Sequence, residues 1–173
     1  MTDQVPEQLP GQLSGHMLVE ALAQASAREV VCAADGSYSL TGSELANLIS
    51  RYIAALKLCG VDTGTPLGLL SGNRVEVLAL IGAGQVQGYR RTALHPMGSL
   101  DDHVFALTDA GIETLIVDET FAARADELSG RLPHLRILSL GESARGTDLA
   151  TLADEQSATD LVPVDLGPDH VTG

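Results

Sequence analysis

Tryptophan is absent from the 173 residues, aromatic side chains make up 3% of them, and lysine occurs once, as Lys57. Without large rings, a core must be filled by Leu, Val, Ile and Ala, the residues that buried parallel strands and their covering helices use. A single lysine leaves phosphate chemistry short of mobile cations. Lys57 also stands between Leu56 and Leu58, late in an amphipathic run, where a cation faces solvent at a helix C-terminus. Positive charge as a whole is scarce: 10 basic residues against 23 acidic ones give a net charge of −13. Such a chain is repelled by a nucleic-acid backbone and by an anionic bilayer, so neither is expected as a partner.

The two cysteines, Cys32 and Cys59, lack zinc spacing and C-x-x-C spacing. They are expected as reduced, buried small hydrophobes. No apolar run reaches the roughly 18 residues of a membrane span, and residues 1–10 are polar and acidic where a signal peptide is basic and then apolar. The expectation is a cytoplasmic protein without a membrane span.

What is present is an alternation of periods. Residues 1–13, with Pro6, Pro10 and Gly11, read as a flexible lead-in, and Ser14 is placed to cap a helix carrying Met17, Leu18, Ala21, Leu22 and Ala25 on one face. Residues 29–34 and 37–40 read as strands, joined by a two-residue Asp35-Gly36 hairpin turn. Thr41 and Glu44 make a capping box for a helix whose apolar stripe is Leu45, Leu48, Ile49, Tyr52, Ile53 and Leu56, ended by Gly60. Strands follow at residues 66–71, 89–94, 114–117 and 136–140, and helices at residues 75–87, from Ser99 with Asp102 as box partner to Gly111, at 120–128 and at 149–155. Strands alternating with helices imply crossovers, hence an α/β fold: a mostly parallel, doubly wound sheet with helices on both faces, beside a small N-terminal β-hairpin. The α/β unit is expected over residues 14–156, and residues 157–173, with Pro163, Gly167, Pro168 and three aspartates, as a connector.

Candidate sites are few. Gly82-Ala83-Gly84 through Gly88 resembles a dinucleotide fingerprint, but the functional version follows a strand and opens a helix, whereas residues 76–81 here are already helical. Close helix-to-sheet packing is the expected role, and a nicotinamide oxidoreductase would need a strand before Gly82. The five histidines (His16, His95, His103, His134, His170) show no metal-ligand spacing. His95 to His103 with Asp101 and Asp102 offers a histidine and a carboxylate, yet His95-Pro96 reads as a turn and the aspartates as first-turn acids of a helix. Ser71-Gly72-Asn73 is a strand-to-helix turn, not a nucleophile elbow. Arg90-Arg91 is the least ordinary feature: of two adjacent charges in a strand one turns toward the core side. It meets an anionic ligand, an internal carboxylate or a sheet edge, the last two being favoured.

From Leu40 onward the residues resemble the start of the adenylate-forming ligases, the AMP-forming acyl-CoA synthetases and their relatives. Leu40-Thr41-Gly42-Ser43-Glu44-Leu45, Ala54-Ala55-Leu56 with Cys59-Gly60-Val61, Leu69-Leu70-Ser71-Gly72-Asn73 with Glu76, Leu94-His95-Pro96, and Asp109-Ala110-Gly111 with Leu115-Ile116-Val117-Asp118 fall in the family's order. Gln87-Gly88-Tyr89-Arg90-Arg91 departs from the family's Lys-Ala-Gly-Ala stretch. The resemblance implies a partial N-terminal subdomain of a fatty-acid–CoA ligase that forms an acyl adenylate and then acyl-CoA. ATP, Mg²⁺ and coenzyme A are implied for the full-length enzyme and none for these residues. The family's phosphate loop would follow Asp169-His170-Val171, so no catalytic, cofactor-binding or metal-binding residue carries over. The implied partner is the remainder of the ligase's own chain, with self-association through exposed apolar surface. A stand-alone α/β binding or interaction module is the alternative expectation.

Overall fold

The computed structural model describes residues 13–142 and 146–165, of residues 13 and 14 the backbone alone. The cap at Ser14 and the approach through Asp169-His170-Val171 lie outside the described side chains and residues. Helix α1 spans Leu13–Gln24, so Ser14 sits in its first turn rather than ahead of it. Leu22 is buried with Leu18 and Val19 packed against the same core, and Ala25 is buried just past the helix, while Met17 and Ala21 face outward. The expected face was therefore rotated toward Val19.

Strands β1 (Glu29–Cys32) and β2 (Ser39–Thr41) form an antiparallel two-stranded sheet with a register shift between Glu29 and Val31. Their turn is wider than the two-residue form, because the Ala33 N–H donates to Tyr38 O and leaves four residues between. A two-residue I′ turn needs positive φ at both central positions, and here Gly36 has φ 73° while no non-glycine residue is positive among the described residues.

The main sheet holds β3 (Pro66–Leu70), β4 (Arg90–Ala93), β5 (Thr114–Asp118), β6 (Arg136–Leu140) and β7 (Thr147–Asp148), all parallel, in the order β4-β3-β5-β6-β7. The alternation of side chains along the strands divides the core. Leu67, Leu69, Ile116, Leu138 and Leu140 face helices α2 (Gly42–Leu58), α3 (Val75–Gln87) and α6 (Leu149–Asp154). Leu70, Leu115, Val117 and Ile137 face α4 (Leu100–Asp109) and α5 (Ala122–Arg131). A strand buried on both faces reads as continuous apolar sequence, and all five residues of β5 are buried. The path steps one way from β3 to β4 through α3, then back past β3 to β5 through α4 on the other face. Crossovers of one hand require that change of face when direction reverses. The doubly wound α/β expectation holds, with the two-residue β7 added to it.

Both capping boxes form. Thr41 Oγ1 accepts from the Glu44 N–H at 3.3 Å while Glu44 accepts from the Thr41 N–H at 2.8 Å, and Ser99 and Asp102 repeat the exchange at the start of α4. Each cap contributes about 1 kcal/mol of helix stability. Gly88 ends α3 with φ 73°, turning the chain sharply into the edge strand β4.

Candidate functional site

In a doubly wound sheet, ligand sites lie outside the carboxyl ends of the strands, where the strand order reverses. That point falls here between β3 and β5. Ser71, Gly72, Asn73 and Arg74 leave β3, and Asp118, at the end of β5, leads into a 3-10 turn at Glu119–Phe121. The place is occupied by an ion network. Arg74 donates from Nε and Nη2 to the two carboxylate oxygens of Glu76 at 3.2 and 2.9 Å, and from Nη1 to Asp118 Oδ1 at 3.3 Å and Leu140 O at 3.0 Å. One guanidinium thus ties together the ends of β3, β5 and β6 and the first turn of α3.

Asp118 is 3% exposed and accepts from the Thr120 N–H and hydroxyl, both at 3.0 Å, and from Ser71 Oγ at 3.3 Å. Burial alone would raise its carboxyl; the Thr120 hydrogen bonds, with Arg74 and Ser71, outweigh burial and hold it below the ordinary range. Glu76 behaves alike, burial being outweighed by its hydrogen bonds from Arg74. Arg74 is held above its usual value chiefly by Glu76. Charges so matched make a poor phosphate cradle: the cation is already neutralised, and the carboxylates would repel an incoming anion. The chemistry of this crevice is positional, fixing the loops that border it.

Arg74 belongs to none of the motifs legible in the sequence. Its signal was a charged residue near the carboxyl end of each of two apolar strands, Arg74 four residues past β3 and Asp118 closing β5. Only the strand order brings them together.

The other candidates are spread over the fold. Gly82 and Gly84 lie inside α3, away from any strand-to-helix turn. A Cβ on Gly82 would stand 2.5 Å from Ile49 Cδ1, so close α2–α3 packing explains that glycine. Lys57 is exposed in the last turn of α2. His103 is buried at 2% exposure, with Nε2 2.9 Å from His95 O and Nδ1 3.0 Å from Arg124 Nη1. Arginine only donates, which assigns Nδ1 as acceptor and puts the ring hydrogen on Nε2. No carboxylate joins it: Asp102 caps α4 and Asp101 pairs with Arg131 at 3.1 Å. His16, His95 and His134 are exposed on separate elements, and His170 lies outside the described residues. Among the described residues, no group of three His, Cys, Asp or Glu side chains is placed to share a metal ion. Cys32 is exposed and Cys59 half-buried, so of the two expected core positions neither is fully realised. Arg90 and Arg91 lie on the edge strand β4, as the edge reading expected, and Arg90 Nε donates to Gly64 O at 3.0 Å. No described helix is long and apolar enough to cross a membrane.

The architecture is that of the N-terminal α/β unit of adenylate-forming ligases. An anthranilate CoA ligase, AuaEII, solved with anthranoyl-AMP, superposes with a TM-score of 0.77 at 21% identity, over 90% of this chain and 30% of that one. The N-terminal domain of FACL13 from Mycobacterium tuberculosis gives 0.77 at 20% identity, over 90% and 39%. The sequence profile of the AMP-binding enzyme family matches residues 18–172, and the chain belongs to that family. The medium/long-chain-fatty-acid–CoA ligase FadD8 of Mycobacterium tuberculosis is 47% identical over 146 residues, covering 80% of this chain and 26% of the relative's length. The chain therefore spans about a quarter of that curated relative.

Proposed function

We propose that this chain forms the opening α/β unit of an ATP-dependent fatty-acid–CoA ligase of the cytoplasm and supplies scaffold to it, without activity of its own. The 47% identity to FadD8 carries the choice of acid. Lack of independent activity is supported by the switch point, where Arg74 is consumed by Glu76 and Asp118. The same reading is supported by the lone lysine, exposed on α2, and by the lack of a Gly-x-x-x-x-Gly-Lys loop in the sequence.

The partner in this reading is the rest of a ligase chain. Pro163 lies against Gly15 of α1, and two apolar side chains near these residues in sequence, Met17 at 59% and Val162 at 70% exposure, are open to be covered. In isolation such exposed apolar side chains favour self-association. The test is a chimera in which this chain replaces the matching segment of FadD8. Fatty-acid-dependent ATP–pyrophosphate exchange by the chimera is the expected result. A folded chimera without exchange overturns the proposal.

A further inference from the structure

On one side the main sheet ends at β4, whose single strand neighbour among the described residues is β3. The Arg90 N–H donates to Thr65 O at 3.1 Å, and the N–H of Leu94, just past the strand, donates to Leu69 O at 2.8 Å. In a parallel pair alternate residues bond to the same neighbour, so the main-chain groups of Arg91 and Ala93 point out of the sheet. An open edge of this kind is a template for a further strand.

The side chains of β4 select among partners. A two-fold pairing with a second copy sets the adjacent Arg90 and Arg91 against their own equivalents, and like charges across a pair are destabilising. Leu67, opposite Arg91 across the β3–β4 pair, belongs to the core beneath α2 and α3, so Arg91 leans toward α3. A Cβ on Gly84 of that helix would stand 3.7 Å from Arg91 Nη1. Arg91 is half-buried, and burial holds its guanidinium below its usual value. No described residue hydrogen-bonds or ion-pairs with it. A desolvated cation is costly without an acceptor, so this edge suits a strand that brings a carboxylate.

The path of the chain supplies one. After α6, which packs on α2 and β6, the Thr159 N–H donates to Ser50 Oγ on α2 at 3.2 Å. Gln87, the last residue of α3, then donates from Nε2 to Val162 O at 3.1 Å, and the Val164 N–H donates to Val86 O at 2.9 Å. The segment therefore crosses the helical layer from α6 over α2 to α3, away from β7 and toward β4. It arrives at the C-terminus of α3, where Gly88 turns the chain into the start of β4. A strand continuing from there runs parallel to β4. Handedness agrees: a crossover from β7 through α6 and this segment uses the same face of the sheet, in the same direction, as the crossover from β3 through α3 to β4.

We propose that residues 169–172 lie along the outer edge of β4 as a further parallel strand, with the Asp169 carboxylate on the Arg91 guanidinium. Counted from the Val164–Val86 hydrogen bond, Asp169 and Arg91 are each five residues on, which sets them level. Val171 and Thr172 are β-branched, as strands favour, and Pro168, which cannot donate, falls just ahead. The proposal stands on the open edge, the unanswered arginine and the path of the chain, and is independent of the ligase reading.

Amide hydrogen exchange of the 173-residue chain, read residue by residue by NMR, is the test. The Arg91 and Ala93 amides are expected to exchange slowly, at a rate unchanged by dilution. Ending the chain after Asp165 should speed both by about tenfold or more, and Asp169→Asn and Arg91→Gln by about threefold each, the double variant behaving like either single. The Arg90 and Leu94 amides, bonded to β3, should stay slow throughout and report that the sheet is intact. If the shortened chain loses that control, the two substitutions in the full chain decide. Fast exchange of Arg91 and Ala93 in the unaltered chain, or slow exchange that Asp169→Asn leaves untouched, overturns the proposal. Slow exchange lost on dilution assigns the edge to a second copy and overturns it as well.

Discussion

Replacing Arg74 by methionine keeps the apolar stem of the side chain and deletes a guanidinium that makes four hydrogen bonds, two to Glu76 and one each to Asp118 and Leu140 O. Removing one partner of a fully buried pair costs about 3–5 kcal/mol. Here the Arg74 and Glu76 side chains are 25% and 21% exposed while that of Asp118 is 4% exposed, so water recovers part of the loss on the Glu76 side. The expected cost is about 2–3 kcal/mol, read as a lower midpoint in urea by far-ultraviolet circular dichroism. The loss must also depend on pH. Asp118 and Glu76 are both held below their unfolded values, so their contribution is present above the unfolded values near 4 and fades as pH falls through the folded ones. The gap between the two proteins should therefore hold from about pH 7 to about pH 5 and narrow as pH falls below about 4. A cost under about 0.5 kcal/mol at neutral pH, or a gap constant into acid, refutes the idea that this network locks the sheet's carboxyl edge.

Two further substitutions probe packing and turn geometry. Gly82→Ala brings a Cβ to 2.5 Å from Ile49 Cδ1 and should destabilise by about 1–3 kcal/mol despite alanine's better helix propensity, with much of the loss recovered in the Gly82→Ala/Ile49→Ala pair. Urea titrations of the two singles and the double check it. Gly88→Ala forces a side chain into φ 73° and should cost about 1–2 kcal/mol by thermal melting, with helical content unchanged.

The elements that were legible are those whose signals are local. Thr41 with Glu44 and Ser99 with Asp102 announce helix starts within three residues, and Gly88 announces an end. The runs Leu67 to Leu70 and Leu115 to Val117 are apolar throughout because both sheet faces are covered. The misses have a physical pattern too. Strand β7 is Thr147–Asp148, too short for any period to show, and Asp148 serves at once as strand residue and N-cap of α6. Asp35-Gly36 spelled a tight hairpin, but the pairing of Ala33 with Tyr38 set a longer loop. Arg74 and its partners are 44 and 66 residues apart for Asp118 and Leu140, distances that only the sheet order closes. Arg91 is legible in sequence as a charge within a strand, yet that no described residue hydrogen-bonds or ion-pairs with it belongs to tertiary structure alone.

Equilibrium dialysis of the 173-residue chain against Mg·ATP bears most directly on the claim that this unit is scaffold whose one switch-point cation is already spent. The account predicts no retention of nucleotide at millimolar concentration. Saturable binding of one ATP per chain, lost on Arg74→Met, would contradict it.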